Sequence, residues 1–248
     1  MKKLCSIIIT VLLLAMTAVN AAAAGTFDDI AGHWAEETIE TWQDKGILSG
    51  YPDGAFKPNN PVTRAELAKV LALAFDLETA NENKLTANPY SDVDTDAWYW
   101  RYIQCADIYM PVYALPVAYE TNIPYAENEE QSGNRFLPGT GALRMHVAEA
   151  LVELKKERDT VEVELPDINT IKEDLNQTFK DADYEELFAN HGVIPQNVRR
   201  MFEYTWLASE LGIMQGNSDG YFLPYTTVTR AELVTTIDRV LNSGRLTE

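Results

Sequence analysis

The chain has 248 residues, 46% of them apolar and 23% charged, and carries a formal net charge of −18 at pH 7. That composition is globular. The charge excludes nucleic acid as a partner and an electrostatic hold on an anionic membrane, because both would repel it.

The first 24 residues read as an address rather than as fold. Lys2 and Lys3 precede a mostly apolar run, Ser6 to Val19, and Ala22, Ala23 and Ala24 supply the small residues of a cleavage site. Residues 1–24 are therefore expected to be a secretory signal peptide, too short and wrongly flanked for a membrane span. Its removal leaves an exported, still more acidic chain with no integral membrane span. Cys105 is then the single cysteine, so no internal disulfide is expected, and the thiol is read as a small buried filler.

A first unit, residues 25–80, opens on Phe27-Asp28-Asp29-Ile30. Apolar Trp34, Ile39 and Trp42 predict a helix from near Trp34 to Lys45, stopped by Gly46. Gly50-Tyr51-Pro52-Asp53-Gly54 is a dense cluster of turn formers. Phe56-x-Pro58 leads into Val62-Thr63-Arg64-Ala65-Glu66-Leu67, where Thr63 and Glu66 have the spacing of a capping box. Leu67, Val70, Leu71 and Ala74 continue as an apolar helical stripe.

The pattern returns. A second unit, 88–155, begins Tyr90-Ser91-Asp92-Val93, predicts a helix from Trp98 to Ile108, and carries an insertion at 110–130. Its Phe136-x-Pro138 and Arg144 keep the offset of Phe56 and Arg64, but Leu143 replaces the Thr and His146 the Glu. An acidic connector, 156–178, follows, and Val161 to Leu165 alternates like a short strand. A third unit, 179–242, starts Phe179-Lys180-Asp181-Ala182 and is interrupted by an insertion at 184–196. It then predicts a helix from Val198 to Leu211 and a turn from Gly216 to Gly220. Phe222-x-Pro224 comes next, and the phrase of the first unit returns letter for letter from Val228 to Leu233, with Thr229 and Glu232 again in capping-box spacing. Recurrence on this scale signals repeated supersecondary modules rather than one enzyme core.

Together these residues resemble the S-layer homology domain of bacterial surface proteins. His33-Trp34-Ala35, Gly46-Ile47, Gly50 to Gly54 and Val62 to Leu67 make the first unit a close match. The third matches from Gly212 onward, and the second mainly through Trp98, Phe136, Pro138 and Arg144. The resemblance implies an all-α, pseudo-threefold fold in which three helix–loop–helix repeats surround a central three-helix bundle. It also implies non-covalent anchoring of an exported protein to the cell surface. The implied ligand is a secondary cell wall polysaccharide with ketal-linked pyruvate, held in grooves between repeats. No cofactor or metal is implied.

The carboxylate of such a ligand needs a fixed cation, and a guanidinium matches its two oxygens with two parallel N–H bonds. Arg64 and Arg230 are the candidates, each at a helix start where free backbone amides and the positive dipole end are expected. Each also fits a structural role, pairing an acid to lock helix to loop, and for Arg144 that role is preferred. Asp53 and Asp219 fit acceptors of sugar hydroxyls or turn residues. Gly50 shapes the turn, Tyr51 fits a sugar stack, and Lys57 fits an added charge. Trp34, Trp42 and Trp98 are read as core, and Glu66 and Glu232 as caps. One or two grooves are expected to work, with that of the second repeat failing.

Asp92-Val93-Asp94-Thr95-Asp96 imitates a calcium loop, but Ala97 stands where Gly is needed and Ile103 where Glu is needed. His33, His146 and His191 are isolated in sequence, and no nucleophile elbow or phosphate loop occurs, so no catalytic role is assigned. The competing reading is an S-layer or surface protein-interaction scaffold with glycan binding partly lost, its partner a surface-layer or cargo protein.

Overall fold

The computed structural model describes residues 27–80, 87–110, 135–182 and 196–244. The expected signal peptide, residues 111–130 of the first insertion and residues 184–195 of the second lie outside them. The chain divides into two compact units, Met1–Lys57 and Pro58–Glu248. Among the described residues the structure is helical, with isolated β-bridges in place of any strand.

In the first unit a 3₁₀ turn, Asp28–Ile30, leads to helix α1, Glu36–Asp44. Ile39 and Trp42 supply its buried face. Trp34 falls before the helix, in the turn where His33 Nδ1 accepts from the Ala35 amide at 3.2 Å, and it is 66% exposed. Its assignment to the core is thus wrong: the side chain precedes the periodic face instead of lying on it. The turn after α1 is closed by Tyr51 N–H to Ala55 O at 2.8 Å and Gly54 N–H to Tyr51 O at 2.9 Å. Gly54 takes φ +82° there, a conformation that only glycine adopts freely.

In the second unit, helices α2 (Arg64–Ala74), α3 (Leu77–Ala80) and α4 (Trp100–Ala106) come first. Then follow α5 (Arg144–Asp159), α6 (Ile168–Thr178), α7 (Gln196–Glu210) and α8 (Arg230–Asn242). α2 packs on α4, and α7 packs on α5 and α6. α4 passes into a 3₁₀ turn, Asp107–Tyr109. Cys105 is buried, as expected. Trp98 is not: it is 54% exposed and contacts Tyr99 and Tyr102 edge-on, again two residues ahead of its helix. The acidic connector holds α6 in place of a strand. Asp167 caps it through the Asn169 and Thr170 amides, and Ile171 and Leu175, four residues apart, fix it to the core. The alternating run from Val161 has no strand to pair with and stays irregular.

The starts of α2, α5 and α8 are joined in a closed ring. The Val62 amide donates to Val228 O, Val228 to Ala142 O and Ala142 to Val62 O, at 2.8–2.9 Å. Each helix start also seats on the next loop. Arg64 and Ala65 N–H donate to Thr140 and Pro138 O; Arg144 and Met145 to Thr226 and Pro224 O; Arg230 and Ala231 to Asn60 and Pro58 O. The arrangement satisfies donors that a helix cannot satisfy itself. Away from the ring, Lys155, only 1% exposed, ties α5 to the end of α8. Its ammonium donates to Asp159 at 3.0 Å, Ser243 Oγ at 2.9 Å and Gly244 O at 3.1 Å.

The loop before each ring segment is built alike. Rings pair at 5.3–5.4 Å as Phe27 with Phe56, Tyr90 with Phe136 and Phe179 with Phe222. The acid two residues after the first aromatic takes two successive amides. Asp29 accepts from Phe56 and Lys57, Asp92 from Phe136 and Leu137, and Asp181 from Phe222 and Leu223, at 2.6–2.9 Å. Lys57, Leu137 and Leu223 all hold φ between +56° and +60°.

Close packing against these rings leaves no space for a side chain at Gly216, where a Cβ would stand 2.9 Å from both Phe179 Cε1 and Tyr221 O. Gly216→Ala is therefore expected to cost about 1–3 kcal/mol. Chemical denaturation checks this; an unchanged midpoint would refute the packing.

Candidate ligand-binding site at the ring of helix starts

Thr63 Oγ1 accepts from the Glu66 amide at 3.2 Å, and the Glu66 carboxylate returns to the Thr63 amide at 2.8 Å. Thr229 and Glu232 repeat this at 3.2 and 2.9 Å, so both predicted capping boxes form. Leu143 has no side-chain cap, and α5 begins without one.

The three helix starts place one arginine each at the ring. Arg64 Nε donates to Phe136 O and Arg144 Nε to Phe222 O, each at 2.8 Å, with the guanidiniums lying over the same Phe rings at 4.7 and 5.4 Å. Arg144 Nη2 also reaches Gln215 O at 3.1 Å. Two of the arginines meet the glutamate of a neighbouring segment: Arg230 Nη1 meets Glu66 at 3.1 Å, and Arg144 Nη1 lies 4.0 Å from Glu232. Glu66 and Glu232 therefore cap their own helices and also pair a neighbour's arginine, a second role that sequence reading missed.

All three arginines are covered: Arg64 is 0% exposed and Arg230 8%, and the Arg144 side chain is 13% exposed. The free backbone amides expected beside them are not free. The first two of each helix bond the neighbouring loop, and the Glu66 and Glu232 amides bond their capping threonines. The signal for this lay in residues distant in sequence. Burial lowers the Arg64 pKa to about 10, with Asp107 and Asp92 opposing the shift, and it lowers that of Arg144, against Glu232 and Asp181.

Asp107, which accepts from the Tyr90 hydroxyl, has its carboxyl raised to about 6 by burial, with Arg64 pulling the other way. Its folded value thus exceeds the unfolded one of about 3.9. The folded state keeps a proton that the unfolded state releases first, so stability falls as pH rises from about 4 to about 6. Asp107→Asn should remove that contribution. Its stability relative to wild type should grow by on the order of 1 kcal/mol from pH 4 to pH 7, because solvent screens a carboxyl that is only partly covered. Urea midpoints across that range test it, and a constant difference would refute it.

The remaining candidates lie on the two glycine-rich turns. In the first unit Lys57 Nζ sits 2.7 Å from Asp53 and 4.5 Å from the Tyr51 ring centroid, so these three come together. Asp53 also accepts from the Ala55 amide at 3.1 Å, and the Lys57 hydrogen bond, ahead of that amide, holds its carboxyl below the usual range. Gly50 is shaped by packing: a Cβ there would meet Phe27 at 2.5 Å. In the second unit Asn217, not Asp219, makes the turn, accepting from Asp219 and Tyr221 N–H at 3.0 Å. Lys180 lies over Tyr221 at 5.5 Å. Among the described residues no group of three or more His, Cys, Asp or Glu is placed to hold a metal ion. No helix described is long and apolar enough to cross a membrane.

A family model described as "S-layer homology domain" matches residues 26–68 and 207–234. The chain is 38% identical over 76 residues to Cell surface glycoprotein 1 of Acetivibrio thermocellus, covering 31% of this chain and 3% of that protein. It is 35% identical over 81 residues to the Cellulosome-anchoring protein of the same organism, 33% of this chain and 17% of that one. It is 24% identical over 221 residues to the Amylopullulanase of Thermoanaerobacterium thermosulfurigenes, 88% of this chain and 10% of the enzyme. The chain thus spans only a small part of the length of these relatives. In those segments it is similar to proteins that carry S-layer homology domains, S-layer proteins among them.

Proposed function

We propose that the chain holds non-covalently to the bacterial cell surface by binding an acidic cell wall polysaccharide, one bearing ketal-linked pyruvate. The carrying observation is the ring of three helix starts, in which the Arg64 and Arg144 guanidiniums lie beside Phe-x-Pro loops and Arg230 pairs with Glu66. Within an acidic chain an anionic polymer is held only where local cations overrule the global field, and these arginines are fixed cations with planar donor edges. The Lys57–Tyr51–Asp53 cluster offers a surface position for a sugar ring, with the lysine adding charge. The relative named as cellulosome-anchoring supports a surface-holding role. On this reading residues 25–80, 88–155 and 179–242 are three repeats, the middle one degenerate, and the chain anchors rather than catalyses.

Retention on isolated cell wall tests this. The mature chain should sediment with intact wall and remain in solution once the secondary polysaccharide has been extracted. Absence from the intact-wall pellet would sink the reading. The exposed Trp34 and Trp98 favour the second reading, a surface scaffold that docks a protein partner, as the one to take up in that event.

A further inference from the structure

Between α5 and α6, residues 161–166 belong to no helix and no β-bridge. Thr160, at φ +59° and ψ +43°, turns the chain off the end of α5, and the Val161 amide closes on Lys156 O at 3.1 Å. Beyond that point the sequence favours extended backbone. Val161 and Val163 are β-branched, and Pro166 disfavours the helical region for Leu165. Burial follows the same period of two: Val161 and Val163 are half-buried, while Glu162 and Glu164 are exposed. Leu165, at the far end, is an apolar side chain 40% exposed to water. Among the described residues, nothing bonds the amides of Glu162, Val163, Glu164 and Leu165 or the carbonyls of 161–166. A row of unpaired peptide groups at the surface is a template for another strand.

We propose that residues 161–165 form a docking edge, on which an extended basic segment of a separate protein adds as a paired strand. The carrying observation is the open peptide row set beside the exposed carboxylates of Glu162 and Glu164. Strand addition takes its affinity from main-chain bonds and its selectivity from alternate side chains. Here the outward side chains are acids, so Lys or Arg at every second position of the incoming strand meets them across the pair. Leu165 adds an apolar contact at the end of the edge. A second copy of this chain does not fit. Its own segment would set Glu against Glu, and each chain carries a formal charge of −18. The edge also lies away from the ring of helix starts. The 16 residues of α5 separate the two, about 24 Å along the helix axis. Strand addition and wall binding are therefore separate events.

Two capped synthetic peptides test this, one alternating Lys with Val and its twin alternating Glu with Val. Amide hydrogen exchange on the wild-type chain reads the pairing itself. The Lys peptide at saturation should slow exchange among Glu162–Leu165 by roughly tenfold or more, and the Glu peptide should leave it unchanged. Two variants then separate charge from main chain, with affinity read by fluorescence anisotropy of the labelled Lys peptide. Glu164→Gln removes one carboxylate and should weaken binding about threefold. Glu164→Pro removes the same carboxylate and also the amide, and should weaken it roughly tenfold or more. Both variants should melt as wild type does, because Glu164 is exposed and its amide bonds nothing among the described residues. The exchange measurement needs wild type alone, so it decides the matter even if the proline variant melts early. Binding of the Lys peptide without protection at 162–165 overturns the proposal, since charge alone then holds the peptide elsewhere. Equal affinity of Glu164→Gln and Glu164→Pro overturns it too. No binding of the Lys peptide at all would mean that Glu162 and Glu164 serve to keep a bare edge in water.

Discussion

Replacing Asp181 by Asn is expected to lower the unfolding free energy by about 2–4 kcal/mol. The Asp181 carboxylate accepts from Phe222 N–H at 2.8 Å and from Leu223 N–H at 2.7 Å, one oxygen for each amide. Hydrogen bonds to a charged group each contribute about 1.5–3 kcal/mol. An asparagine keeps one acceptor and turns an NH₂ toward the second amide, so donor faces donor. The loss has a further component. Leu223 sits at φ +60°, where a branched side chain costs about 1–2 kcal/mol, and the carboxylate is what captures the amide that this conformation exposes. Losing the clamp lets Leu223 relax, which moves the Phe222 carbonyl held by Arg144 Nε. Asp92→Asn should act alike at Phe136 and Leu137. Urea denaturation with circular dichroism measures both. A loss below about 0.5 kcal/mol at both positions would mean that water replaces the carboxylate at no cost.

The clamp also marks the limit of what was legible in the sequence. The aromatic-x-acid opening was visible three times, but the partner amides lie 27, 44 and 41 residues further on, beyond any periodicity window. What was local came out correctly. Thr63 with Glu66 and Thr229 with Glu232 form capping boxes because cap chemistry is written within four residues. The helical class and the family followed from the same short signals. Trp34 and Trp98 misled because size and hydrophobicity stood in for position, and each precedes the first residue of its helix by two positions. α6 was missed because the acidic count of the connector hid the Ile171–Leu175 pair that buries it. Sequence reading named the three arginines but not their surroundings. The amides thought free are taken by loops from other segments, and the pairing of Arg230 with Glu66 and of Arg144 with Glu232 appears only once the ring closes.

At the opposite end of α5 the energetics turn on one lysine. Lys155→Ala is expected to cost about 3 kcal/mol, the lower part of the range for breaking a buried ion pair. The lysine and Asp159 side chains are 2% and 0% exposed, so neither charge has water to fall back on. Removing the ammonium takes a donor from Gly244 O, from one Asp159 oxygen and from Ser243 Oγ, which keeps its own bond to Val240 O at 2.8 Å. The other oxygen stays paired with Arg158 Nε at 2.8 Å, which keeps the loss from being larger. Arg158 itself reaches Val240 O at 2.6 Å, so a shift of Asp159 is felt on α8 through two routes. A buried pair is weak evidence of net stabilisation, because apolar replacements of both partners are often neutral. Lys155→Met/Asp159→Leu should accordingly recover at least half of the alanine variant's loss. Denaturation midpoints of wild type, Lys155→Ala and the double variant separate the outcomes. A double variant no more stable than Lys155→Ala would show that α5 and α8 need the polar bonds to Ser243 and Gly244 themselves, and not merely freedom from an uncompensated charge.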